Sequence, residues 1–458
     1  MIVEQTKRFA NLIGMDKAIA YSSGARIVQV FTGVIGIFFI ALYLNGVEQG
    51  FYYTFGSILA IQSFFELGLT GIITQYVAHE AVYLKINDDF TFWGEENYKS
   101  RLASLVQFSV KWYFIISVAF LLAILLVGYI FFTKYDESGG SVSWKIPWLI
   151  LSVSTAIKLF QSPFNSILMG LGKVKEMNEI AFYQQIFIPV SMWICLVCNF
   201  KLNVVGISSF IGVAIWFVYI LRTDFYKLLL NLWRQQITER VSYMKEIFPY
   251  QWKIALSWIS GFFIFQLFNP VLFATEGAVV AGQMGMTLTV LNAIQSFAFS
   301  WQNTKVPQYS ALIELKQYGA LDSLFNKSLK QMTSICAVLL CAMFVSVWFL
   351  KITGIGFRGQ ALGDRFLGYW PMLFMLIPVL ANQFVSSWAI YLRCHKQEPF
   401  LVQSIVMGIL CSLSTFELGK LFGLYGITLG YCCLTVFVSL PWSYYIFVNK
   451  KKEWHNGN

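Results

Sequence analysis

An all-α integral membrane protein, built from about 12 transmembrane helices in two six-helix pseudo-symmetric halves, is the fold that three observations predict. Apolar residues make up 57% of the 458 and charged residues only 12%, where a soluble domain carries about a quarter charged. The apolar residues gather into runs of roughly 20, the length that crosses a hydrocarbon core as a helix. Five residues, Ala60-Ile61-Gln62-Ser63-Phe64, recur as Ala293 to Phe297, each time inside a long apolar run.

The runs lie near 20–44, 50–77, 112–133, 146–170, 182–200, 203–221, 252–273, 278–300, 332–350, 366–391, 401–421 and 424–448. A backbone in lipid must satisfy its own polar groups, so these runs are helices; the ten-residue alternation of an outer-membrane barrel is missing. Trp112, Tyr113, Trp144, Trp148, Trp252 and Trp370 punctuate run ends, where an amphipathic ring suits the headgroup layer.

Residues 1–19 hold Lys7, Arg8 and Lys17 among Phe9, Leu12 and Ile13. They read as a cytoplasmic amphipathic segment rather than a cleaved signal. Most of the 33 Lys and Arg fall in the N-terminus, the loops after even-numbered runs and the C-terminus. Both termini are therefore expected in the cytoplasm. The net charge of +10 then reflects topology and attraction to anionic membrane lipids; there is no basic globular module for nucleic acid.

Sliding the chain against itself by 233 residues places Thr54 on Thr287, Gln75-Tyr76 on Gln308-Tyr309 and Ala78 on Ala311. At a shift of 221, LGKVK at 171–175 meets LRCHK at 392–396. The change of register fits an insertion at 86–97, INDDFTFWGEEN. Six helices per half is an even number, so the halves enter the membrane alike and are related by an axis along its normal. The expected organisation is an N-terminal half at 1–221, a cytoplasmic linker at 222–251 and a C-terminal half at 252–458. Phe225, Leu228, Leu229, Leu232 and Ile237, interleaved with Arg and Lys, make the linker amphipathic.

Polar residues at bilayer depth are costly and point to function. Arg26 and Gln29 lie in run one. Glu66 sits mid-way along run two with Gln62 one turn before it. Lys158 lies near the middle of run four, and Asn292 and Gln295 make a polar patch in run eight. These seven are the candidate substrate-cavity residues. Each has a structural reading beside the functional one: glutamines join helices by hydrogen bonds, Lys158 pairs with Glu66, and Arg26 snorkels to headgroups. Pro163, Pro189, Pro270, Pro371 and Pro378 interrupt or kink runs.

No catalytic constellation accompanies them. His79-Glu80 lacks the second histidine of a zinc helix, and no Walker-type loop occurs. The eight cysteines, Cys195 and Cys198 included, lie almost entirely in apolar runs and read as packing. The chain is read as no enzyme, with no metal or cofactor.

Two six-helix halves, the basic amphipathic N-terminus and FFELGLTGIITQYVAHE at 64–80 together resemble the polysaccharide transporter branch of the multidrug/oligosaccharidyl-lipid/polysaccharide exporter superfamily. The resemblance covers the whole chain in layout. Its local motif is an acidic residue before Leu-Gly-Leu, Glu66 to Leu69. It implies a V-shaped bundle with a central cavity lined by spans one, two, seven and eight, in the bacterial inner membrane. It also implies a flippase for undecaprenyl-pyrophosphate-linked oligosaccharide, of the O-antigen or capsule type, working by alternating access. The lipid-linked oligosaccharide is the expected ligand, and a polysaccharide polymerase and chain-length regulator are candidate partners. Arg26 and Lys158 suit a pyrophosphate, and glutamine and asparagine suit sugar hydroxyls. Glu66 is the candidate for coupling to H+ or Na+. A cation-coupled multidrug exporter of the same superfamily and a lipid II flippase are the alternatives.

Overall fold

The computed structural model describes residues 17–87, 89–137, 139–357, 360–395 and 397–456. Residues 1–16 of the expected surface segment lie outside them. All twelve apolar runs fall on helices. The first unit of the fold draws on α1 (Lys17–Tyr43), α3 (Gln62–Glu66), α4 (Leu69–Ala81), α5 (Glu96–Tyr135), α6 (Lys145–Gly170), α7 (Val174–Val197), α8 (Asn203–Arg222) and α9 (Phe225–Arg234). The second draws on α2 (Gly46–Leu59), α11 (Phe268–Glu276), α12 (Ala278–Asn303), α13 (Val306–Glu314), α14 (Tyr318–Thr353), α15 (Tyr369–Arg393), α16 (Leu401–Cys433) and α17 (Leu440–Asn456). α10 (Phe248–Phe265) runs from one to the other.

The two compact units are Met1–Phe39, Ile61–Thr133 and Ser143–Ala255, and Ile40–Ala60, Lys134–Val142 and Leu256–Asn458. They follow chain order except that Ile40–Ala60 and Lys134–Val142 pack with the second. The second apolar run is thereby shared, because it is not one helix. It breaks after Ala60 and again at Leu67 (φ 48) and Gly68 (φ 69). The left-handed conformation that stops a helix is one glycine adopts without strain.

Among the described residues seven helices are long and apolar enough to cross a membrane, or eight if the bent pair Gly46–Glu66 and Leu69–Ala81 counts as one span. Twelve were expected, and the shortfall has physical causes. Leu401–His455 is one 55-residue stretch carrying two runs, folded at Gly423 (φ 55, ψ −136). There the Glu276 carboxylate accepts the Leu424 N–H, and a Cβ on residue 423 would stand 1.5 Å from that carboxylate oxygen. Helices α6 and α12 carry Lys158, Gln161, Asn292 and Gln295, which lower their mean hydropathy. Pro163, Pro189 and Pro378 lie inside helices as expected. Pro270 and Pro371 instead fall in first turns, where a missing N–H is tolerated.

In the first unit α4 packs on α6 through Gly170, where a Cβ would lie 2.7 Å from Val77 and 2.8 Å from the Thr74 carbonyl oxygen. Ser154 and Ser209 join α6 to α8 at 2.8 Å. The insertion at 86–97 is a hairpin, β1 (Leu84–Ile86) antiparallel to β2 (Phe92–Gly94), leading into α5. Within the stretch expected as a linker, 222–251, which lies inside the first unit, α9 buries Phe225, Leu228 and Leu232. Beyond it Arg101 clamps the chain: its guanidinium donates to Glu80 and to Glu246, each at 2.9 Å.

In the second unit α2 is capped by Asn45, whose side chain accepts from Glu48 N–H at 2.8 Å while Glu48 accepts the Asn45 N–H at 2.9 Å. This reciprocal cap starts the helix. Small residues then let α2 and α12 approach until a Cβ on Gly50 would stand 1.9 Å from the Ala278 carbonyl oxygen.

Candidate substrate site

In the first unit Gln62 Nε2 donates to Glu66 Oε1 at 3.3 Å, one turn along α3. Ser162 Oγ, from α6, reaches the same carboxylate oxygen at 3.1 Å. That hydroxyl also lies 3.2 Å from the Lys158 carbonyl oxygen, and with one proton it serves one acceptor at a time. Tyr113 of α5 is fully buried with its hydroxyl unpartnered.

Lys158 lies one turn before Ser162, half-buried. Its stem runs toward α8, where a Cβ on Gly212 would stand 3.7 Å from Lys158 Cε. Lys158 has no ion pair among the described residues, so the Glu66–Lys158 pairing weighed from sequence does not form. Glu66 is held by an amide and a hydroxyl instead. Gln29 is exposed, and the Arg26 side chain lies outside the described residues.

In the second unit Asn292 and Gln295 line a cavity of about 220 Å³ together with Tyr53, Gln266, Asn269 and Asn382. Several local features shape it. Pro270 leaves the Gln266 carbonyl without its helical donor, so the chain breaks between α10 and α11 at the cavity wall. Asn269 Nδ2 donates to Ser57 Oγ at 3.0 Å, while its Oδ1 is buried and has no partner. Asn382 Nδ2 donates to Tyr431 Oη at 3.0 Å. Gln383 Nε2 donates to the Gln295 carbonyl oxygen at 3.0 Å, fixing the helix that carries it. Among the described residues no carboxylate, ammonium or guanidinium group lines this cavity.

Sequence reasoning finds Asn292 and Gln295 but misses Tyr53, Gln266, Asn269 and Asn382. The available signal is an asparagine before a proline, Asn269-Pro270, and an Asn382-Gln383 pair, each inside an apolar run. Among the described residues no group of three His, Cys, Asp or Glu side chains could hold a metal ion.

No protein-family model matches the sequence, and no curated protein matches it. The fold has clear counterparts. A multidrug resistance MATE family transporter of the MOP superfamily, in an inward-facing conformation, superimposes with a TM-score of 0.63 at 11% identity, over 93% of this chain and 99% of that one. This chain shares the fold of that transporter. The MOP-fold neighbours differ in what their descriptions assign to them. One is the lipid II flippase MurJ, inward closed, with a TM-score of 0.54 at 14% identity over 94% of this chain and 87% of that one. Another is a MOP superfamily transporter from Pyrococcus furiosus whose binding pocket is described as reversed in polarity, with a TM-score of 0.53 at 13% identity over 95% and 96%.

Proposed function

We propose that this chain is a multi-pass transporter, not an enzyme, and that it moves undecaprenyl-pyrophosphate-linked oligosaccharide repeat units across the bacterial inner membrane by alternating access. The observation that carries the reading is the chemistry of the cavity in the second unit. Carboxamides from α11, α12 and α15, with Gln266 and the Tyr53 hydroxyl, surround it, and no ionised group among the described residues does. Such a lining pairs with neutral hydroxyls, donor to acceptor and acceptor to donor. An organic cation entering it would meet no counter-charge. Lys158, without an ion pair among the described residues, is the candidate for the pyrophosphate, which a cation holds by charge-assisted hydrogen bonds.

A second reading, cation-coupled drug export, rests on Glu66, a carboxylate near the middle of an apolar run with an amide and a hydroxyl on one oxygen. In the flippase reading the same group is the candidate for H+ or Na+ coupling.

Deleting the gene in its host and analysing the undecaprenyl-linked lipids with the surface polysaccharide separates the two. Accumulation of a completed repeat unit on its lipid, with loss of the surface polymer, is the expected result. Unchanged lipids and polymer with raised sensitivity to cationic dyes would replace the flippase by the exporter. Accumulated lipid II would favour the peptidoglycan precursor.

A further inference from the structure

The first unit carries a second concavity, unlike the amide cavity in every respect. It is a groove of about 420 Å³ walled by α5, α6, α8 and α9, with Phe164, Trp216, Leu229, Tyr226 and Trp233 among its lining. Gln161 is its one side chain with an amide, and that side chain is buried and directed to the Val213 carbonyl oxygen at 3.5 Å. The groove is open: Phe217 is 45% exposed, Leu230 42% and Trp233 37%. A hollow of this composition excludes water and accepts hydrocarbon.

Its charged edge distinguishes it from an ordinary lipid-facing surface. Lys111 Nζ lies 5.7 Å from the centre of the Trp233 ring, and Lys227 Nζ lies 5.8 Å from the centre of the Tyr226 ring. Both rings belong to the groove. A third lysine, Lys173, stands 5.8 Å over Phe225 on the same helix. Lys111 and Lys227 thus each hold an ammonium group over a ring of α9 that lines the hollow, whereas Phe225 under Lys173 is buried and outside the lining. The nearby acidic group is Asp224, 3.1 Å from Lys227. An exposed pair of this kind contributes little, and it leaves Lys111 and Lys173 without an ion pair among the described residues. Apolar depth ending at a basic edge is the complement of a hydrocarbon chain ending in an anionic headgroup. The lysine asymmetry of the sequence assigns this edge to the cytoplasmic side.

We infer that this groove is a binding site for an anionic glycerophospholipid of the surrounding bilayer, one hydrocarbon chain lying against Phe164, Trp216 and Leu229 and the phosphate meeting Lys111 and Lys227. The inference is independent of what the protein transports. Occupancy would brace α9 against α5, α6 and α8, since an emptied hollow of this size loses contacts on one side of every lining group.

The test uses the full-length protein in bilayer nanodiscs containing a trace of phosphatidylglycerol bearing a diazirine on its acyl chain. A phosphatidylcholine analogue with the same chain is the comparison, and labelled peptides are mapped by mass spectrometry. Phosphatidylglycerol is expected to label peptides containing Phe164, Leu229 or Leu230 at least fivefold more than phosphatidylcholine. The Lys111→Gln/Lys227→Gln variant is expected to reduce that labelling to the phosphatidylcholine level with an unchanged melting temperature. Leu229→Trp, which fills the hollow, is expected to abolish labelling by both. Equal labelling by the two lipids, or labelling by phosphatidylglycerol that survives the lysine replacements, would show only the bulk lipid shell and overturn the site.

Discussion

Gln49 donates its side-chain N–H to the Gly282 carbonyl oxygen at 2.8 Å, and the two residues stand 233 positions apart, the offset at which the chain repeats itself. One turn on, Tyr53 donates to Met286 Sδ at 3.2 Å across the same offset. Together the two contacts tie α2 to α12 in a seam within the second unit. The seam depends on glycine. Gly50→Ala would drive a methyl into the Ala278 carbonyl and is expected to destabilise the protein by about 1–3 kcal/mol. Gly56→Ala, in the same helix with nothing within 4 Å, is expected to be neutral or to stabilise by roughly 0.5–1 kcal/mol. Melting of the two purified variants in detergent checks both signs.

Asn269 is the cavity residue with an unspent acceptor. Asn269→Ala removes both that acceptor and the bond to Ser57. If the cavity binds sugar hydroxyls, transport of the lipid-linked glycan falls by about tenfold, the equivalent of one hydrogen bond. Ser57→Ala, which frees Asn269 Nδ2 without removing the acceptor, is expected to cost less. Surface polymer measured at matched membrane levels distinguishes them.

Glu66→Gln keeps a carbonyl oxygen for Gln62 and Ser162 while removing the ionisable proton. In a coupled cycle this variant loses the response of transport to an imposed proton or sodium gradient. Ser162→Ala, which removes one hydrogen bond and leaves the carboxyl, retains the response at a lower rate. Uptake into proteoliposomes with and without the gradient reads the difference, and an unaltered gradient response in Glu66→Gln would remove Glu66 from coupling.

Lys158→Ala is expected to reduce transport by tenfold to a hundredfold, about the 1.5–3 kcal/mol of a charge-assisted hydrogen bond to phosphate. The protein should remain folded in the membrane, because Lys158 has no ion pair to lose among the described residues. Equal export at equal protein level would take Lys158 out of the site.

The Arg101 clamp has a pH signature. Burial by itself would raise the Glu246 pKa, but the Ser242 N–H and the Arg101 guanidinium outweigh it and hold the carboxyl below its ordinary value. A lowered folded-state pKa gives stability that is present above the unfolded value, about 4.3, and lost as pH falls through the folded one. Glu246→Gln should therefore lower the melting temperature at pH 7, and the gap from the parent should narrow below about pH 4. Arg101→Ala is expected to destabilise more, by about 3–5 kcal/mol, because the buried Glu80 loses its cation.

The helices were legible because their signal is local: each run's length and apolarity are set by its own residues. Breaks were less so. Pro270 marked one, whereas the interruption at Leu67-Gly68 and the fold at Gly423 rest on backbone conformations that a Gly in an apolar run does not announce. Of the site, Gln62, Glu66, Asn292 and Gln295 stood out as polar letters in apolar text. Asn269 and Asn382 carry the same signal, yet nothing in their immediate neighbours says that they meet.

By itself the sequence determined that this is a multi-pass helical membrane chain, where its apolar runs lie and that short stretches recur at offsets of 233 and 221. Those properties follow from residue-by-residue partition between water and lipid and from direct comparison of the chain with itself. Only the tertiary structure decided that α2 packs in the second unit, that Glu66 is met by Ser162 rather than Lys158, and that Tyr53, Asn269, Asn292 and Asn382 close one uncharged cavity. Each of these depends on which helices approach, and that is set by glycine seams, helix breaks and the reach of side chains hundreds of residues apart, none of which a single run encodes.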